Sequence, residues 1–195
     1  MNKHIYIPSM LSKEEYEKCF SSVSQEKWSF INTYDRKEIQ NEFAPTNYGS
    51  LNNSAGGRFF INLSKDKDIN DIFKNKIEDK IFKNIKIMAT FGVALFSETN
   101  SQTVYPNKDG IHTFIYNMNN KWASDMKGRL VIIDDSELKN NPTDGNPQAR
   151  AIYVDPKPNS GVILYPEHSF FEEAYGRLFN ALKISLILKF KEVTP

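Results

Sequence analysis

Cysteine, histidine and long apolar runs are the scarce features of this 195-residue chain. With one cysteine, Cys19, an intramolecular disulfide, a four-cysteine zinc site and a CxxC redox pair are all excluded. Three histidines, His4, His112 and His168, limit any imidazole-based metal centre. No stretch approaches the roughly 20 apolar residues of a membrane-spanning helix. The N-terminal segment MNKHIYIPSMLSKEEYEK also lacks the apolar run of a secretory signal. A cytoplasmic location without a membrane partner is the expectation. Neither sign of charge is in excess: the net charge is +1 with 25% charged residues, so nucleic acid is not an expected partner. A Gly-rich phosphate loop, a GxSxG elbow and an HExxH helix are absent as well.

What is present is a well-stocked core. Hydrophobic residues make up 39% of the chain and aromatics 13%, which argues against disorder. The length suits one domain over 1–195 that needs no covalent staple. His4–Ile7 reads as a short strand. Ser12 then stands three residues before Glu15, the spacing of a capping box, with Leu11 and Tyr16 placed for a hydrophobic staple. Tyr16, Cys19, Phe20 and Val23 follow at helical spacing, which makes Cys19 a core residue rather than a nucleophile. Turn formers crowd PTNYGSLNNSAGG, and RFFINL is strand-like. Ser64 reads as a second N-cap. Beyond it Ile69, Ile72, Phe73, Ile77 and Ile81 predict an amphipathic helix over 65–84.

After residue 85 the pattern becomes short apolar runs separated by turn residues: IKIMATFGVALFSE, QTVYP, IHTFIYNMN, RLVIID, RAIYVD, GVILYP and LKISLILKF. The stretch 134–148 reads as a long surface loop. Helices followed by strands give an α+β class, with a helical N-terminal part over 1–84 and a sandwich or barrel over 85–195.

Four segments carry a family likeness. Ile115–Trp122 (IYNMNNKW), Lys127–Asp134 (KGRLVIID), Val154–Pro166 (VDPKPNSGVILYP) and Leu182–Phe190 (LKISLILKF) resemble, in order, the strand motifs of prolyl 4-hydroxylase-like iron(II)/2-oxoglutarate-dependent dioxygenases. LSKEEYEK is similar to the helix that opens those domains. The resemblance implies a double-stranded β-helix, or jelly-roll. It also implies a site in which two histidines and a carboxylate hold iron(II) and a basic residue of the last strand grips 2-oxoglutarate.

Transferred onto this chain, the positions of the ligands read Tyr105, Asn107 and Phe171. The basic residue is Lys183, two before Ser185. A phenol, a neutral amide and a hydrocarbon ring make a poor iron(II) donor set. The four are expected to converge on one barrel mouth, where a small molecule or peptide would bind. An alternative metal set is Asp109, His112 and His168. The blander expectation makes His112 an ordinary strand residue and His168 a loop residue, with His4 incidental. On the last strand Lys183, Ser185, Ile187 and Lys189 share a mixed face that suits either a pocket or solvent. The acid pairs Asp134–Asp135 and Glu172–Glu173 read as surface features, and Arg129 has no evident role. Three functional readings follow: a non-catalytic or ligand-binding dioxygenase-like protein, an active iron(II)/2-oxoglutarate hydroxylase with an atypical site, or a cupin-like binder.

Overall fold

In a computed structural model, residues 4–31, 58–95, 110–134, 151–166, 168–173, 175–176 and 182–193 are described. The turn cluster PTNYGSLNNSAGG, the segment QTVYP and nearly all of the 134–148 loop lie outside them. Two α-helices, a short 3-10 helix (Ser124–Met126) and ten strands make up the described elements: β1 (His4–Ile7), α1 (Lys13–Gln25), β2 (Ser29–Ile31), β3 (Arg58–Asn62), α2 (Lys67–Lys80), β4 (Ile85–Leu95), β5 (His112–Asn117), β6 (Leu130–Asp134), β7 (Ile152–Val154), β8 (Gly161–Leu164), β9 (His168–Glu172) and β10 (Lys183–Glu192). The strands form a seven-stranded sheet, ordered β1-β8-β5-β10-β4-β3-β2, and a three-stranded sheet, ordered β7-β6-β9. Every strand pairing among the described residues is antiparallel. This is the jelly-roll architecture expected from the sequence.

Helix α1 starts as its sequence predicts. The Ser12 hydroxyl accepts from the Glu15 N–H at 3.2 Å, and the Glu15 carboxylate accepts from the Ser12 N–H at 2.7 Å. Cys19 and Val23 face inward, and burial pushes the Cys19 thiol up to about 12, which keeps it protonated and inert. The second helix is shifted from its expected start. Its N-cap is Asp66, whose carboxylate accepts from the Ile69 N–H at 3.0 Å. Ser64 instead bonds Thr90 of β4, accepting from its N–H and donating to its carbonyl. An aspartate two residues on can also cap, and here the Ser64 hydroxyl is taken by the neighbouring strand. Ile69, Phe73 and Ile77 are fully buried, a contribution of about 1.5–3 kcal/mol each.

The segment before residue 85, read as helical, also supplies β1 to one edge of the large sheet and β3-β2 to the other. Two cores result. One lies between the large sheet and the helices, built from residues such as Phe73, Phe114, Tyr116 and Leu186. The other lies between the sheets and joins Phe91, Val93 and Ile187 to Leu130, Ile132 and Phe170. β10 serves both: Ile184, Leu186, Leu188 and Phe190 face the helices, while Ile187 faces the small sheet. β4 serves both by a different device. Its register against β10 shifts between Lys189 and Phe190, where Lys189 pairs with Ala89 but Phe190 with Ile87. Met88 is the extra residue of this bulge, so Ile85 and Ile87 face the helices and Phe91, Val93 and Leu95 face the small sheet.

Asn159, in the turn PKPNSG, holds the N-terminal segment. Its backbone sits at φ 54, a conformation asparagine tolerates. Its side chain accepts from the Leu11 N–H at 2.9 Å, donates to the Leu11 carbonyl at 2.8 Å and accepts from the Tyr116 hydroxyl at 2.9 Å. Asn159→Ala should therefore cost about 2–4 kcal/mol in urea unfolding, from three lost bonds and a strained φ. Asn159→Asp, which keeps both acceptor roles, should cost less.

A second expectation concerns acid. Burial pushes the Glu15 carboxyl up, but the hydrogen bonds from Ser12 and the nearby Lys76 ammonium together outweigh it and hold the group below its ordinary value. A lowered folded-state carboxyl stabilises the protein above its unfolded pKa, and that stabilisation is lost as pH falls through the folded one. Ser12→Ala should cost about 1 kcal/mol near neutrality. It should also raise the Glu15 carboxyl in an NMR titration and make the stability loss below pH of about 4.5 shallower than in the parent.

Candidate functional site

The space between the sheets contains a buried ionic centre. Lys183 opens β10 and Glu172 closes β9, and the Lys183 Nζ lies 2.6 Å from the Glu172 Oε1 with the side chains only 1% and 3% exposed. The Ser185 hydroxyl donates to the same carboxylate oxygen at 2.5 Å. One oxygen of the small sheet is thus held by two donors of the large sheet. The mixed face of β10 lines the interior rather than meeting solvent: Lys183, Ser185, Ile187 and Lys189 are all buried. Further along, the Lys189 Nζ donates to the Thr113 hydroxyl at 2.6 Å and lies 5.5 Å from the centre of the Phe170 ring.

The sequence motifs build the walls of this centre. Asn117 donates to the carbonyls of Pro156 and Lys157 and so fixes the turn before β8. Asn119 donates to the Leu182 carbonyl and accepts from the Ile184 N–H, both at 2.7 Å, which fixes the entry of β10 and with it Lys183. Gly128, at φ 78, is required by a close approach: a Cβ there would stand 2.5 Å from the Tyr175 ring. Burial, then the nearby Glu172 carboxylate, pushes the Tyr175 phenol well above its ordinary range. Beside the ion pair, Ile115, Leu130, Val154 and Val162 help enclose a cavity of about 20 Å³. That is about the room one water needs.

The expected site residues fall as follows. Lys183 lies in the intersheet interior. Phe171 lies on β9 with its backbone opposite Val131, and the β9 residue that meets Lys183 is Glu172, one place on. Tyr105, Asn107 and Asp109 lie outside the described residues. His112 begins β5, stacks on Phe190 at 5.2 Å and faces the helix-side core, with its Nε2 3.3 Å from Glu192. His168 begins β9 on the same side of that strand as Phe170 and Glu172, so it faces the small-sheet side of the interior. The two imidazoles do not share a face of the large sheet. Among the described residues, no group of three His, Cys, Asp or Glu side chains is placed to hold a metal.

Several surface readings are corrected. His168 is in a strand, not a loop. Glu172 is buried, and Glu173 forms a two-point pair with Arg129 at 3.0 Å for each contact. Arg129 also stacks over Tyr153, at 4.6 Å from the ring centre, so its role is to join β6, β7 and the end of β9. The sequence signal for Glu172 was the alternation of β9: with Phe170 inward, Glu172 must be inward too.

No family model matches the chain, and no curated protein does. Solved structures do. An oxidoreductase of the 2OG-Fe(II) oxygenase family from Burkholderia pseudomallei superposes with a TM-score of 0.61 at 8% identity, covering 97% of this chain and 85% of its own. A prolyl hydroxylase from Trichoplax adhaerens, solved with a peptide of the hypoxia inducible factor oxygen degradation domain, gives 0.58 at 12% identity, covering 98% and 84%. A Pseudomonas putida prolyl-4-hydroxylase gives 0.57 at 10%, covering 98% and 94%. The fold is therefore that of the 2-oxoglutarate/iron(II) oxygenases, prolyl hydroxylases among them; at these identities the likeness is one of fold.

The ionic centre yields a sharp stability expectation. Lys183→Met leaves Glu172 as an uncompensated buried charge and should cost about 3–5 kcal/mol. The double variant Lys183→Met with Glu172→Leu should recover most of that loss, because a buried pair replaced by apolar groups is often near neutral. Urea midpoints of the two singles and the double would give the coupling directly.

Proposed function

We propose that this chain is a non-catalytic protein of the oxygenase fold, one that keeps the jelly-roll as a scaffold for binding a small molecule or peptide at the barrel mouth. The observation that carries the reading is the Lys183–Glu172 pair. In the family resemblance Lys183 is the residue that would grip the carboxylate of 2-oxoglutarate. Here its ammonium is already neutralised by Glu172 at 2.6 Å, with Ser185 on the same oxygen. On this reading the chain's own carboxylate takes the lysine that would otherwise hold a co-substrate carboxylate. The cavity beside the pair, about 20 Å³, is about the room of one water.

The residues do not fit iron either. The positions transferred from the family offer Tyr105, Asn107 and Phe171, and an open iron(II) site favours imidazole and carboxylate. No step through iron is therefore assigned to this chain. A fold whose interior lysine is paired internally and whose transferred ligand positions suit iron poorly would serve through its shape and apolar interior.

The test is succinate production. Purified protein supplied with iron(II), 2-oxoglutarate, ascorbate and air should form no succinate above buffer, and calorimetry should show no 2-oxoglutarate binding. Glu172→Ala should release Lys183 and open the pocket, so that 2-oxoglutarate binding appears in the variant while turnover stays absent. Succinate made by the parent protein, lost on Lys183→Ala, would overturn the proposal in favour of an active hydroxylase.

A further inference from the structure

His4 and His168 take no part in the ionic centre, yet the fold brings them to one corner. His4 is the cross-strand partner of Leu164 at the end of β8. From Leu164 the chain turns through Tyr165 and Pro166, and the His168 N–H donates back to the Tyr165 carbonyl at 3.3 Å as β9 begins. Both side chains lie on the intersheet side of their strands. On β1, Ile5 and Ile7 pack toward the helices and Tyr6 toward the small sheet, so His4 shares the side of Tyr6. On β9, His168 shares the side of Phe170.

Each ring places an Nδ1 atom in the interior with no hydrogen-bond partner among the described residues. His168 is only 7% exposed. A buried ring nitrogen without a partner is unfavourable, and two at one corner ask for a shared occupant. Burial, and after it the nearness of His168, holds the His4 imidazole below its ordinary range, so at neutral pH it offers a lone pair.

We propose that His4 and His168 form a two-imidazole site for a divalent cation of the zinc class, clipping edge strand β1 to β9. Neutral imidazole is a preferred ligand of that class, and the remaining coordination positions would be filled by water. The donor set contains no carboxylate, which disfavours magnesium and calcium. This site is separate from the pocket of Lys183 and does not rest on the non-catalytic reading.

The test uses the full chain without an affinity tag, stripped by chelator and titrated with zinc by calorimetry. One equivalent should bind, with affinity at least tenfold weaker in His4→Asn and in His168→Asn and unchanged in His112→Asn. Because His168→Asn removes a buried group, a second readout uses the parent protein alone. Long-range imidazole nitrogen spectra should show zinc-induced shifts at His4 and His168 and none at His112. Zinc should also raise the melting temperature of the parent by mass action but not that of His4→Asn. Absence of stoichiometric uptake, parent-like binding by His4→Asn, or loss of binding in His112→Asn would each overturn the proposal.

Discussion

The two sheets of this protein are tied by a charge that neither can leave unpaired. Lys183 belongs to the large sheet and Glu172 to the small one, and each is buried so deeply that its solvation depends on the other. An interior ion pair adds little net stability compared with apolar groups of the same size, but breaking one half of it is expensive. Its effect is therefore on register. β9 slipped by one residue would carry Glu172 to the opposite face and leave the ammonium alone. The Asn119 bonds that set the start of β10, and the glycine that admits Tyr175 beneath it, all serve to place this one contact.

Such an arrangement changes what the fold can do. A jelly-roll of this type offers an enclosed space between two sheets, and the chemistry depends on which groups point into it. Here that space is furnished with a lysine, a glutamate, a serine and a second lysine on an aromatic face, packed among valine, leucine and isoleucine. Lys183 and Ser185 share one Glu172 oxygen, while the other Glu172 oxygen and the Tyr175 hydroxyl are buried with no hydrogen-bond partner among the described residues.

Much of the fold was legible because its signals are local. The capping box of Ser12 and Glu15, the stripe of Ile69, Phe73 and Ile77, and the ordered strand motifs each depend on neighbours in sequence. What escaped depends on partners far away. Ser64 looked like a cap because nothing local reveals that Thr90 claims its hydroxyl. Glu172 and Glu173 looked alike, yet one is fixed by Lys183 and the other by Arg129. The bulge at Met88 is hidden in an unbroken apolar run, IKIMATFGVAL, where alternation cannot show a change of face. The candidate site was half legible: alternation put Lys183 and Ser185 on one mixed face of β10, but it left open whether that face met a pocket or solvent and did not show Glu172 as the partner.

The order of strands in the large sheet has a consequence for how the molecule comes to be built. β10, the last of the described strands in the chain, lies between β4 and β5, with three strands on one side and three on the other. Both cores also draw on it. During synthesis the earlier strands emerge with the central position of their sheet vacant, so neither core can close until that segment clears the ribosome. A nascent chain stalled before residue 183 would hold two half-sheets with open edges, a state prone to association. Closing the sheet joins segments distant in sequence, and such non-local pairing is in general slow.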